Sequence, residues 1–232
     1  MPKGSDIKRM FADIAGRYDL ANHLLSLGID YYWRSKLVRE VKVSHPKSVV
    51  DLATGSGDVA FALKKELDHN VNIKGIDFCE AMIAKAIEKK SQNKYFQDIE
   101  FILGDILHLP FEDNSIDTLT IAFGFRNLED RAKGLREMKR VLKKPNGVLL
   151  VLEFTQTYLL FRPLYIIYLK CILPIFAYII TGESKAYRYL TGSIKSFPPK
   201  KLISQQIAEA GFKNIRSKAL SFSIVAIHRA ET

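Results

Sequence analysis

The 232-residue chain has only two cysteines, Cys79 and Cys171, far apart and without metal-knuckle spacing. That excludes a disulfide scaffold and a thiolate metal site, so the expectation is a cytoplasmic chain with reduced thiols and no metal. No internal repeat or low-complexity tract is present. The opening residues, MPKGSDIKRMFADIAGRYD, lack the apolar core of a secretory leader. Long hydrophobic runs are missing too. The greasiest stretch, residues 162–182 (RPLYIIYLKCILPIFAYIITG), is cut by Pro163 and Pro174 and carries Lys170. A bilayer core takes roughly 20 apolar residues, and Leu164 to Leu173 would rise only about 15 Å as a helix. A transmembrane helix is therefore not expected.

Acidic residues are in deficit, 25 against 35 Lys and Arg, for a net charge of +10. From Thr155 onward eleven basic residues face three acidic ones, so +8 of that excess lies in the last third. Such a region can meet nucleic acid, an anionic membrane surface or only water. Here it shares its third of the chain with the greasy run, and cationic charge beside apolar surface suits an interface.

With 47% hydrophobic residues, one large domain with a substantial core is expected over residues 1–232. Residues 1–45 read as a helical cap. Strand patterns at 47–53, 72–78, 99–105, 116–123 and 147–154 alternate with helical patterns at 58–67, 80–90 and 131–144. That alternation predicts an α/β fold with a parallel, doubly wound sheet. A helix at 199–211 and two strands, FKNIRSK and LSFSIVAIHR, follow, joined by little more than Ala219 and so paired as an antiparallel hairpin.

Between the first strand and helix lies VVDLATGSGDVA. Gly55, Ser56 and Gly57 let backbone approach a ligand at a helix N-terminus. Gly55-x-Gly57-x-x-Ala60 also spells the dinucleotide fingerprint. Asp51 and Asp58 bracket the turn, however, and would repel a pyrophosphate while welcoming an ammonium. Asp77, twenty residues beyond Gly57 at a strand end, is placed to accept from ribose hydroxyls. Asp105 ends the next strand, at the edge where open α/β sheets bind ligands. Adenosine joined to a sulfonium amino acid, S-adenosylmethionine, fits these carboxylates better than NAD. Alternatives stand beside each: Asp51 as a turn-stabilising carboxylate, Asp77 as a helix cap, Asp105 as an ordinary loop residue.

VVDLATGSGD, GIDF, GDILHLPF and PNGVLLVLEF resemble the sequential motifs of class I S-adenosylmethionine-dependent methyltransferases. RYDLANHLLSLGIDYYWR (17–34), TIAFGFRNLEDRAKGLREMKRVLK (120–143), YRYLTGSIKSFP (187–198) and VAIHR (225–229) resemble more closely the ubiquinone/menaquinone biosynthesis C-methyltransferase family, over roughly residues 10–230. That resemblance implies a Rossmann-like fold, with seven strands, mostly parallel and closed by the antiparallel C-terminal hairpin. It implies S-adenosylmethionine as cofactor, with Ser56 at the donor-contacting loop position, Asp77 on the ribose, and Asp105 and Ile106 beside the adenine. Thr54, Ala122 and Asn146 depart from the family pattern, where Gly, Ser and Gly are usual.

The implied reaction is C-methylation of a prenylated quinol ring: demethylmenaquinol, or also 2-methoxy-6-polyprenyl-1,4-benzoquinol. Arg126 and Asn127, directly after a strand end, are the expected catalytic pair, since a guanidinium favours the quinolate anion. For Arg126 the alternative is a local salt bridge to Glu129 or Asp130. Tyr18, Asn22 and Tyr187 are second-rank candidates. The run at 158–180, within a lid insertion at about 155–198, is expected to admit the isoprenoid tail and touch the membrane's inner face. As helix it would align Tyr158, Arg162, Tyr165 and Leu169. A buried helix pair or a homodimer interface is the competing reading of that run. An acceptor made of RNA or another lipid is the rival function, and the apolar company of the basic residues argues against nucleic acid.

Overall fold

The computed structural model describes residues 4–172, 192–193 and 197–232. Seven strands form one sheet: β1 (Ser48–Leu52), β2 (Asn72–Asp77), β3 (Glu100–Leu103), β4 (Thr118–Ala122), β5 (Val148–Phe154), β6 (Lys213–Leu220) and β7 (Val225–Glu231). Their spatial order is β3-β2-β1-β4-β5-β7-β6. The first five strands run parallel, whereas β7 pairs antiparallel with both β5 and β6. Order reverses between β1 and β4, which opens a crevice at their carboxyl ends.

The central strands are apolar on both faces because helices cover both. Val49 faces a cluster with Leu37, Val41 and Leu63, while Val50 faces another with Leu135, Met138 and Val141. The first layer comes from α3 (Ile29–Val43) and α4 (Asp58–Glu66), the second from α6 (Arg131–Val141) and α8 (Lys200–Glu209). Helix α5 (Glu80–Ser91) packs beside β2 and β3. The N-terminal segment is helical as expected, with α1 (Gly4–Ile14) and α2 (Tyr18–Leu25) preceding α3. α1 rests on α5, which brings it towards the crevice.

Two details differ from the sequence expectation. The hairpin turns at residues 221–224, not at Ala219, which pairs with Ala226 inside the ladder. Ser221, Phe222 and Ser223 all take positive φ (47°, 56° and 66°), a bend that non-glycine residues do not advertise. The greasy run starts a helix only at Arg162 (α7, Arg162–Ile167), with Pro163 in its first turn, and continues as a π-helical turn over Tyr168–Ile172. Tyr158 therefore precedes the helix, and the expected four-residue stripe is broken. Residues 173–180 and Tyr187 lie outside the described residues, as does the Tyr18 side chain. Among the described residues no helix is long and apolar enough to cross a membrane.

Candidate functional site

The β1–α4 turn is built around two buried carboxylates. Asp51 accepts hydrogen bonds from Thr54 Oγ1 and Thr120 Oγ1, both at 2.7 Å. One of these hydroxyls belongs to the turn itself, so Asp51 does stabilise the turn, through a side chain. Burial pushes its carboxyl up to about 7, against the pull of the two hydroxyls and Arg34. Thr54, where a glycine is usual in the resembled family, supplies one of these bonds.

Asp77 Oδ2 accepts from Gly55 N and Oδ1 from Cys79 N, each at 2.9 Å. It holds the glycine turn and the residue that precedes α5 at once, while the helix itself, with Cys79 at its N-cap, has no side-chain cap. Burial raises its pKa, and the amides of Cys79, Gly55 and Phe78 oppose that rise. Gly57, at φ 89°, could carry no side chain: a Cβ would lie 2.8 Å from Phe101 Cζ and from Phe61 Cε2.

Two cavities meet at this turn. The smaller, about 320 Å³, is bounded by Asp77, Asp105, Ile106, Gly55 and Asn127, with Lys8 and Phe11 from α1 above it. The larger, about 750 Å³, is reached by Asp51, Ser56, Asn22 and Arg126 and is otherwise walled largely by apolar side chains. Ala53, Gly55, Ala122 and Phe123 line both, so they form a shared wall. Asp105 stays exposed and accepts from Leu107 N at 2.8 Å. Gly57 lines neither cavity and acts on the turn alone. The structure separates the expected catalytic pair, with Arg126 on the larger cavity and Asn127 on the smaller.

Arg126 does not make its close ion pair with Glu129 or Asp130. Its guanidinium sits 2.7 Å from Glu153 Oε1, with side-chain exposures of 7% and 1%. It also donates to Phe123 O and lies 5.2 Å from the Phe154 ring centroid. Glu153 accepts further bonds from Arg126 N at 3.1 Å and Phe154 N at 2.9 Å. Arg126 Nε is nevertheless buried without a hydrogen-bond partner among the described residues, and so is Thr157 Oγ1. Both residues line the larger cavity.

A charge cluster ties the N-terminal helices to the turn. Ser56 Oγ donates to Asp19, which Lys89 holds at 2.9 Å while also reaching Asp58 at 2.6 Å. Burial alone would raise Asp58, and Arg34 and Lys89 overcome it, so its pKa falls. Arg34 also pairs with Asp30, which holds His23 Nδ1 at 2.6 Å. No group of three or more potential metal ligands occurs among the described residues.

Sequence reasoning missed Lys8, Phe11, Trp33 and Thr157 on the cavity walls. Trp33, the only tryptophan, was the one findable signal. It is buried, donates to Ser221 Oγ at 2.8 Å and packs tilted against Phe123 and edge-on to Phe154.

Solved structures with this fold include a SAM-dependent methyltransferase from Thermotoga maritima (TM-score 0.65, 17% identity, 96% of this chain and 98% of that one). Another, from Aquifex aeolicus, gives a TM-score of 0.55 at 20% identity over 79% of this chain and 81% of its own. Curated relatives are much nearer in sequence. The ubiquinone/menaquinone biosynthesis C-methyltransferase UbiE of Geotalea daltonii is 39% identical, covering 99% of this chain and 97% of the relative. The demethylmenaquinone methyltransferase of Thermus thermophilus is 41% identical over 94% and 98%, respectively. Residues 2–232 match the family model described as the ubiE/COQ5 methyltransferase family. This chain belongs to that family.

Proposed function

We propose that the chain uses S-adenosylmethionine to methylate a ring carbon of a prenylated quinol, with demethylmenaquinol as the acceptor its relatives' names support best. A 2-methoxy-6-polyprenyl-1,4-benzoquinol is the second acceptor of the same chemistry. The observation that carries the reading is the largely apolar cavity of about 750 Å³ that Arg126 lines, sharing a wall with the smaller, carboxylate-edged cavity. When bound, S-adenosylmethionine supplies an electrophilic methyl group.

The residues present fit that donor. Asp77, buried at the end of β2, faces the smaller cavity and can accept from ribose hydroxyls. Asp105 and Ile106 flank the place for the adenine, and Gly55 offers bare backbone between the cavities. Asp51 and Ser56 lie on the larger cavity, where Asp51 can take the ammonium. Asn127, on the smaller cavity, serves the donor side.

Arg126 serves the acceptor. Arg34 lines the same cavity but is held by Asp30 and Asp58, whereas the Nε–H of Arg126 has no partner among the described residues, and it favours the quinolate over the quinol. That concentrates electron density on the ring carbon that attacks. Tyr165, on the same cavity, is held protonated by burial, so it is a hydrogen-bond donor and not the base. The apolar walls exclude water and align the ring with the donor, which supplies most of the catalysis in a displacement of this kind.

The membrane reading is supported by exposed apolar side chains around the larger cavity. Leu27, Leu164 and Phe222 line it at 79%, 69% and 57% exposure, beside the still more exposed Leu159 and Leu160. Apolar side chains with Arg162 among them form a rim that rests on the inner face of a membrane and takes the tail from it. Labelled S-adenosylmethionine incubated with reduced demethylmenaquinol in detergent tests the function. Label is expected in the quinol and not in RNA or oxidised quinone. Label in RNA alone would overturn the reading.

A further inference from the structure

We propose that Thr157 is a substrate-recognition residue, whose hydroxyl binds one ring oxygen of the acceptor while Arg126 Nε–H binds the other. The inference rests on the quinol reading above and deepens it. Buried polar atoms in folded proteins are almost always paired, so each exception asks for a missing partner. Among the described residues three buried side-chain atoms are unpaired: Arg126 Nε, Thr157 Oγ1 and Gln206 Oε1. The residues that carry two of the three, Arg126 and Thr157, line the same cavity.

The hydroxyl is held in place by backbone, not by a side-chain bond. Thr155 N donates to Ile224 O at 2.9 Å and Tyr158 N to Phe222 O at 3.1 Å, which pins the segment against the β6–β7 turn. The neighbouring Thr155 hydroxyl is committed, accepting from Lys200 N at 3.0 Å. Thr157 is 8% exposed, so water does not satisfy it from outside.

The two atoms have complementary chemistry. A guanidinium Nε–H only donates, whereas a threonine hydroxyl both accepts and donates. Arg126 therefore suits the ring oxygen that becomes anionic, and Thr157 suits the remaining O–H. A ring with two oxygens in different protonation states is what this pair reads. Blocking one oxygen as a methyl ether removes a hydrogen and adds bulk where the site is built to pair.

The test compares the parent protein with Thr157→Val and Thr157→Ser, using a short-chain demethylmenaquinol and its two monomethyl ethers. Valine is expected to raise the quinol KM about tenfold, the order for a lost substrate hydrogen bond, with serine near the parent. S-adenosylmethionine affinity should not change, and the valine variant should melt at the same or a higher temperature because an unpaired buried hydroxyl is gone. A quinol KM within twofold of the parent overturns the proposal. So does a parallel fall in melting temperature and donor affinity, which would make Thr157 a structural residue. Should valine fail to fold, equal turnover of the quinol and both ethers by the parent overturns it independently. A parent that methylates no quinol removes the functional reading itself, which the same assay distinguishes.

Discussion

Binding of S-adenosylmethionine is expected to release a proton, and Asp51 is its source. Burial pushes this carboxyl up to about 7, because two threonine hydroxyls only partly replace lost solvent. A carboxyl with a pKa of about 7 is roughly 90% protonated at pH 6 and roughly 10% protonated at pH 8. The donor's ammonium favours the carboxylate and so drives the proton off. About 0.9 proton should leave per chain at pH 6 and about 0.1 at pH 8, and the donor should bind about tenfold more weakly at pH 6. The sign for folding is consistent. An acid whose folded pKa is raised stabilises the fold at low pH and loses that contribution as pH rises from about 4 to about 7. Titration calorimetry in two buffers of different ionisation enthalpy measures the release directly. Asp51→Asn should abolish it. Release that is near zero at pH 6, or that survives the substitution, would refute the assignment of Asp51 to the ammonium.

Arg126→Ala should lower kcat about a hundredfold or more, and it should also destabilise the fold by about 3–5 kcal/mol, because Glu153 would remain buried without its cation. Stopped-time methylation assays and thermal melts separate the two effects; normal activity would remove Arg126 from the chemistry. Replacing Leu159 and Leu160 together by serine should weaken sedimentation with anionic vesicles severalfold while turnover of a short-tailed quinol in detergent is kept. Unchanged vesicle binding with a loss of dimer would identify the rim as a contact between copies instead. Leu164→Ala should raise KM more for a long-tailed quinol than for a short-tailed one, and equal losses would sink the tail path.

The sheet was legible because strands covered on both faces are written as short unbroken apolar runs, VVDL and VLLVLEF among them. Asp51, Asp77 and Asp105 could be singled out because each falls at or near the carboxyl end of a strand: Asp77 closes β2, Asp51 is the penultimate residue of β1, and Asp105 follows β3 by two residues. What escaped was long-range or conformational. Glu153 lies 27 residues from Arg126, so a reading confined to neighbours offered Glu129 and Asp130 in its place. The side of the wall on which Asn127 falls depends on the short helical turn Phe125–Asn127 that follows Phe123. Lys8 and Phe11 share one face of α1, but nothing local says which face turns to the cavity. Thr157 looks like any polar residue after a strand until its missing partner is seen.

The wall between the two cavities has a consequence of its own. Of its four residues, Gly55 has no side chain and Ala53 and Ala122 have one methyl each; Phe123, at φ 58°, is the exception. Behind it Gly124 is equally constrained, since a Cβ there would sit 2.5 Å from that of Ala53. Where Ala53, Gly55 and Ala122 form it the partition is thus thin enough to be a window: no side chain framing it there is larger than the methyl group to be delivered. Widening a frame residue by even a few atoms would leave both chambers intact and sever the traffic between them.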